Sequence, residues 1–235
     1  MTKISVTIDG QELKVESGQT ILDVCRENEI DIPTMCHFEG LSEVGACRLC
    51  LVEIEGSNKL MPSCTTQIQQ DQVIRTQTDK LKRYQRMITE LFFCERHHIC
   101  AVCIANGNCD LQKLAYRVGM DHVTFPNLNQ QCELDASHPD YVMDHNRCIM
   151  CTRCVRVCSE VEGAHNWGVM KRGFNVRIIS DFNQPWGEST TCTSCGKCVE
   201  VCPTGALWPK NTQQGSIDKD PGSITALIEK RRMGL

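Results

Sequence analysis

"CIMCTRCVRVC" (residues 148–158) and "CTSCGKCVEVC" (residues 192–202) read Cys-x2-Cys-x2-Cys-x3-Cys twice over, and Val155 and Val157 of the first run are matched by Val199 and Val201 of the second. This internal repeat is the most specific signal in the chain. Working outward from it, the sequence holds 18 cysteines in 235 residues, far above ordinary usage, and so many thiols need a chemical reason. Disulfides and metal compete as that reason. Disulfide-dense chains are typically small secreted domains, whereas this one opens "MTKISVTIDGQELKV", which alternates like a strand and lacks the apolar stretch of a signal peptide. The expected setting is a reducing cytoplasm, where thiolates remain free to bind metal.

Charge and hydropathy exclude other classes. The formal net charge is -4, with Lys and Arg scattered through the chain, which argues against nucleic acid. Apolar runs are only a few residues long, far short of the roughly 18 needed to cross a bilayer, so no membrane span is expected. Aromatic residues make up 5% of the sequence, lean for a chain of this length, and imply several small modules in which bound clusters do part of the work of a core.

The N-terminal "ISVTIDGQELKV" is two alternating segments joined by Asp9-Gly10, a dipeptide suited to a type I′ hairpin turn. A short helix follows in "GQTILDVCRENEIDIP", N-capped by Ser17 or Thr20 and carrying Ile21, Leu22 and Cys25 on one face. "CLVEIEGSNKLMPSC" reads as a second hairpin turning at Gly56-Ser57, and "QVIRTQT" as a closing strand. Strand, strand, helix, strand, strand is the order of a β-grasp domain. From Thr78 or Asp79 to about Arg96 the period becomes helical through Leu81, Tyr84, Met87, Ile88, Leu91 and Phe92, and it resumes at Leu111, Leu114, Ala115 and Val118. "MKRGFNVRIISDF" predicts a pair of short strands between the two cysteine runs, and "ITALIEKRRM" a terminal helix packed on a neighbour or partner. The expected architecture is α+β: a β-grasp domain over residues 1–78, a helical segment over 79–120, a linker over 121–140, the repeat domain over 141–210 and a tail over 211–235.

The repeat resembles the two-cluster bacterial ferredoxin signature, in which the fourth cysteine of each run ligates the other cluster. That resemblance implies one 4Fe-4S cluster on Cys148, Cys151, Cys154 and Cys202, and another on Cys192, Cys195, Cys198 and Cys158. Pro203 follows Cys202 as in that signature. Ser159 replaces proline after Cys158, and "SEVEGA" is two residues longer than "PTGA", a local departure that loses no ligand. Cys36, Cys47, Cys50 and Cys64 form an earlier group. They resemble the 2Fe-2S site of β-grasp ferredoxins, except that ten residues separate Cys36 from Cys47 where the plant-type pattern has four. "DIPTMCHFEGLSEVGACRLCLVEIEG" looks instead like the variant opening the large iron-sulfur subunit of respiratory complex I and the iron-only hydrogenases, which implies one 2Fe-2S cluster on these four thiolates. The competing reading is a zinc site on the same residues.

Between these groups lies "CERHHICAVCIANGNCDLQ" (residues 94–112). Cys100, Cys103 and Cys109 resemble the cysteines of a 4Fe-4S site with one histidine ligand in the same two families, where the histidine stands four positions before the first cysteine. Arg96 occupies that position here, leaving His98, His97 and Cys94 as candidates for the fourth ligand. His98 is favoured, because its shortened spacing resembles the small diaphorase subunits of NAD-reducing nickel-iron hydrogenases. A neutral imidazole in place of a thiolate is expected to raise the reduction potential. Cys25, Cys94 and Cys132 remain, and are expected to pack or face solvent.

With no Gly-x-Gly-x-x-Gly after a strand and no evident substrate site, the chain reads as an electron conduit. The cluster order resembles the N-terminal parts of iron-only hydrogenases and of the complex I subunit, and the small diaphorase subunit of NAD-reducing nickel-iron hydrogenase. Read as a whole protein, a chain of 235 residues is too short for the first two, so the diaphorase subunit is the expectation. That resemblance implies a flavin- and NAD-binding diaphorase partner, which carries the FMN and NAD, and a small nickel-iron hydrogenase subunit, in a hydrogen:NAD+ oxidoreductase. The alternatives are an electron-relay subunit of an iron-only bifurcating hydrogenase, a formate dehydrogenase or a complex I-like NADH dehydrogenase, and, in another class, a redox-inactive zinc-binding interaction protein.

Overall fold

A computed structural model of the chain describes residues 2–128 and 130–234. Strands β1 (Lys3–Ile8) and β2 (Gln11–Glu16) form an antiparallel hairpin in which Lys3 faces Glu16 and Ile8 faces Gln11. Its turn works because Asp9 (φ 47°) and Gly10 (φ 85°) both enter the left-handed region that a type I′ turn demands. Helix α1 (Ile21–Glu27) starts at Thr20, which resolves the choice of cap. Thr20 Oγ1 accepts from Asp23 N at 3.1 Å, and the Asp23 carboxylate accepts from Thr20 N at 3.0 Å, so two otherwise unpaired donors are satisfied. Strands β3 (Leu51–Ile54), β4 (Met61–Pro62) and β5 (Val73–Arg75) complete a five-stranded sheet of order β2-β1-β5-β3-β4. β1 and β5 run parallel at its centre, and Pro62 lies on the edge, where its missing N–H costs nothing. Ile21, Leu22, Val24 and Cys25 press against Val6, Ile8, Val52 and Ile74, so Cys25 is a packing thiol.

Helix α2 (Asp79–Glu95) is capped by Thr78, whose hydroxyl accepts from Leu81 N at 3.3 Å, and α3 (Asp110–Arg117) begins directly after Cys109. Residues 96–109 are therefore a loop, tightened only by a 3-10 turn at Cys100–Val102, slung between two helices.

The C-terminal half holds a three-stranded sheet of order β10-β7-β6, built from β6 (Leu134–Asp135), β7 (Tyr141–Asp144) and β10 (Leu207–Pro209). The segment expected as a linker thus supplies an edge strand. Helices α4 (Arg153–Arg156) and α5 (Lys197–Glu200) occupy matching places in the repeat. The repeat extends to the backbone: Met150 and Ser194 (φ 55° and 56°), and Thr152 and Gly196 (φ 59° and 72°), make paired left-handed excursions that coil each Cys-x2-Cys loop. After Cys202, Pro203 cannot donate and the helix stops. After Cys158, Ser159 donates its hydroxyl to Val155 O at 3.0 Å, and the chain continues as a π-helical turn through Val157–Glu162. That turn accommodates the longer "SEVEGA".

Between the two motifs β8 (Trp167–Met170) pairs with β9 (Arg177–Ser180). The first of these strands lies earlier than its sequence suggested. Lys171 and Gly173 both have positive φ (64° and 58°), so Met170 ends a strand instead of opening one. Helix α6 (Pro221–Arg232) begins with Pro221 after Asp220, whose carboxylate accepts from Ser223 N at 3.1 Å. It packs on its own chain. Ile224 and Ile228 enter the same buried cluster as Phe38 and Leu41 of the N-terminal half. Ile228 Cγ2 stands 2.7 Å from the place a Cβ on Gly40 would occupy, so only glycine (φ 87°) permits this approach. Among the described residues no helix is long and apolar enough to cross a membrane.

Candidate metal centres

Cys36, Cys47 and Cys50 lie on the loop between α1 and β3, and Cys64 follows β4; all four are buried. Their sulfurs stand as two pairs, Cys36–Cys47 and Cys50–Cys64, each 3.4 Å apart. Two thiolates on one tetrahedral metal at about 2.3 Å would be about 3.7 Å apart, so each pair is close to the geometry for one iron. Sharing a proton within each pair lowers Cys47 and Cys50 below the ordinary thiol range and raises Cys36 and Cys64 above it.

A cavity is lined by His98, Cys100, Cys103 and Cys109, together with Arg147 and Gly205. His97 and Cys94 are not among its lining residues. His98 Nε2 is buried without a hydrogen-bond partner, as is His97 Nε2. Burial first, and the Arg147 guanidinium second, push His98 down to about 4, so its imidazole is neutral and carries a free lone pair. Cys94 is 4% exposed, its thiol raised by burial and aimed at Leu91 O. Arg96, 2% exposed at the C-terminus of α2, turns elsewhere, with Nη1 on Cys132 Sγ at 2.7 Å and Nη2 on Val176 O at 2.8 Å. Gly205 is the feature that sequence reasoning missed here. A Cβ on it would stand 2.7 Å from Cys103 Sγ and 3.2 Å from Ala105 Cβ.

In the repeat domain a cavity is ringed by Cys158, Cys192, Cys195 and Cys198, the set that crosses from one motif to the other. Cys195 is exposed to solvent. Cys148, Cys151, Cys154 and Cys202 gather in the other half. Burial, reinforced by the neighbouring thiols, pushes Cys148 up to about 12 and raises Cys154 well above its ordinary value. Cys202 moves the other way. Burial works against it, but the Lys219 ammonium and backbone N–H groups, Thr204 first, more than offset that. Lys219 is fixed there by donating to Cys202 O and Thr204 O, both at 2.7 Å. Nothing in the sequence pattern singled out Lys219.

Arg156 joins the two halves. It is 5% exposed; Nη1 donates to Ser42 O at 2.6 Å, and Nη2 reaches both Cys36 O and, at 3.3 Å, Cys151 O. One guanidinium therefore ties the backbone of the first cysteine group to that of the third. Among the described residues no three His, Cys, Asp or Glu side chains converge on a point for a single metal ion. The donors ring cavities or stand in pairs, an arrangement that fits polynuclear iron-sulfur groups.

Three stretches match known domains: residues 1–79 a 2Fe-2S iron-sulfur cluster binding domain, residues 85–124 the NADH-ubiquinone oxidoreductase-G iron-sulfur binding region, and residues 139–208 the ferredoxin-like domain of NADH-quinone oxidoreductase subunit 3. The fold and its cysteine groups thus define an iron-sulfur electron-transfer protein. A chain of the NAD+-reducing [NiFe]-hydrogenase, solved in the H2-reduced state, is similar with a TM-score of 0.84 and 32% identity, over 89% of this chain and 88% of that one. The NADP-reducing hydrogenase subunit HndD of Solidesulfovibrio fructosivorans is 35% identical over 212 residues, and the mitochondrial NADH-ubiquinone oxidoreductase 78 kDa subunit of Candida albicans is 32% identical over 213. These alignments take in 88% and 89% of this chain but only 36% and 29% of the two relatives. The chain belongs to the family of iron-sulfur subunits shared by NAD(P)-reducing hydrogenases and complex I-like NADH dehydrogenases.

Proposed function

We propose that the chain relays electrons, in the cytoplasm, between a flavin- and NAD(H)-binding diaphorase subunit and a nickel-iron hydrogenase module, so that reversible H2 oxidation is coupled to NAD+ reduction. One observation carries this reading: the likeness to a chain of NAD+-reducing [NiFe]-hydrogenase extends over nearly the full length of both chains. The ligand sets are Cys36, Cys47, Cys50 and Cys64 for 2Fe-2S; His98, Cys100, Cys103 and Cys109 for a 4Fe-4S group; and the two crossed sets of the repeat for two more. When bound, these groups supply one-electron transfer.

The chain's own residues hold and shield the centres. Thiolates and the neutral His98 imidazole are the donors. Buried side chains around Met35, Leu49, Leu111 and Leu114 keep water from the first two sites. Arg156 fixes the first and third groups to each other, and Lys219 and Arg153 place positive charge beside the third. The exposed Cys195 offers a route to a partner at the surface.

Co-purification tests the assignment of partners. Recovery with a nickel-containing subunit and a flavoprotein is expected, and recovery with neither refutes it. A second reading, a relay module of a larger NADP-reducing hydrogenase or NADH dehydrogenase chain, is favoured by the alignments to relatives of which this chain spans about a third. Iron and acid-labile sulfide address the chemistry separately: about 14 irons per chain are expected, whereas zinc without sulfide leaves only a structural role.

A further inference from the structure

The cavity ringed by Cys158, Cys192, Cys195 and Cys198 has one wall that cysteine spacing does not account for. Trp186, 1% exposed, donates its indole Nε1–H to Cys192 Sγ at 3.2 Å. Asn166 N donates to Cys158 Sγ at 3.3 Å, and Trp167 lines the same cavity as Cys198. Two of the four sulfurs therefore carry an N–H donor from the segment between the two motifs. The indoles are held firmly. They meet edge to face at 4.7 Å, Tyr141 stacks on Trp186 at 5.7 Å, and Trp186 N donates to Asp135 Oδ2 at 2.7 Å. His138 packs here and makes only a longer contact with the same sulfur. Its Nδ1 accepts from Asp140 N at 3.0 Å, and its Nε2 lies 3.2 Å from Ser194 Oγ but 3.8 Å from Cys192 Sγ.

An N–H aimed at a thiolate sulfur stabilises negative charge there, and the reduced form of an iron-sulfur group carries more of it. Indole neither gains nor loses a proton near neutral pH, so this stabilisation does not vary with pH as a histidine's would.

We propose that Trp186, buttressed edge to face by Trp167, is a positioning residue that raises the reduction potential of the 4Fe-4S centre on Cys158, Cys192, Cys195 and Cys198. The proposal rests on the relay reading and on that ligand set. The step concerned is a one-electron reduction, by a reduced neighbouring centre or by dithionite. No bond is made or broken, and the indole protons stay on nitrogen.

The test is a potentiometric titration of the full chain followed by electron paramagnetic resonance, comparing wild type with Trp186→Phe, Trp167→Phe and the double variant, with iron and sulfide counted in each. With full iron, Trp186→Phe is expected to shift one 4Fe-4S midpoint downward, by about tenfold in its redox equilibrium or about 59 mV for one electron, and Trp167→Phe to shift the same midpoint less. The double variant is expected to shift it at least as far as Trp186→Phe, with the other centres unchanged. Full iron with no midpoint moved overturns the proposal. Should either variant lose iron, wild type grown with 15N-indole tryptophan decides: a 15N coupling to one reduced centre is expected, and its absence overturns the proposal. Failure of the ligand set looks different, since Cys192→Ser would then leave the iron count and every signal unaltered.

Discussion

Replacing Gly205 by alanine should empty one centre and spare the rest. The new Cβ would lie 2.7 Å from Cys103 Sγ, 3.2 Å from Ala105 Cβ and 3.6 Å from Ile104 Cδ1. Ordinary contact needs about 3.5–4.0 Å, so Sγ must retreat by roughly 1 Å. A shift of that size is nearly half of a metal–sulfur bond of about 2.3 Å, and overpacking of this kind costs about 1–3 kcal/mol even where nothing is bound. The variant is therefore expected to fold and to lose only the centre on His98, Cys100, Cys103 and Cys109. Iron and sulfide analysis with electron paramagnetic resonance would read this as a fall from about 14 to about 10 irons and the loss of one 4Fe-4S signal. Gly168→Ala is the control, since its Cβ would meet only Ile179 Cγ1 at an ordinary 3.7 Å. A Gly205→Ala protein with full iron and an unaltered spectrum would refute the placement of Cys103 and the site built on it.

His98→Ala should lose or convert one 4Fe-4S centre while His97→Ala keeps all of them, as counted by iron content; the opposite pattern would make His97 the ligand. Arg156→Met would leave the buried carbonyl of Cys36 short of a donor, at about 1–3 kcal/mol, and would free the half-buried carbonyls of Ser42 and Cys151. Its denaturation midpoint, followed by loss of visible absorbance, should fall markedly, and Arg156→Lys should recover part of the loss. Glu90 is held below the usual carboxylate range by its hydrogen bonds to Thr124, then by Arg86. Its folded pKa being depressed, its contribution is complete above the ordinary value of about 4.3 and fades as pH falls through the folded one. Glu90→Gln should thus lower the thermal midpoint at pH 7, by a margin that narrows near pH 4.

What could be read from the sequence was local chemistry. The repeat, the hairpin at Asp9-Gly10 and the cap of α1, narrowed to Ser17 or Thr20, each depend on residues a few positions apart, and each was legible. What escaped was long-range. Nothing near Arg156 in the sequence announces Cys36, 120 residues away, and the indole donor to Cys192 carries no spacing signature. Lys219 lies in a polar tail with no periodicity to mark it. The first strand of the β8–β9 pair was displaced because the left-handed turn at Lys171 and Gly173 is set by backbone conformation, which composition does not reveal. The terminal helix was expected on a neighbour or partner; its partner proves to be the loop at the other end of the chain, reached through a glycine.

That closure through α6 makes the molecule a ring in its packing, if not in its covalent chain. Phe38 and Leu41, early in the sequence, and Ile224 and Ile228, near its end, share one buried cluster. Residues 221–232 are thus a latch on the first centre's loop, and shaving them off would lay bare the seam between the two halves. A fragment that keeps every cysteine but stops at residue 210 would retain all the donors and the Arg156 tie between the first group and the third, but lose this second clasp.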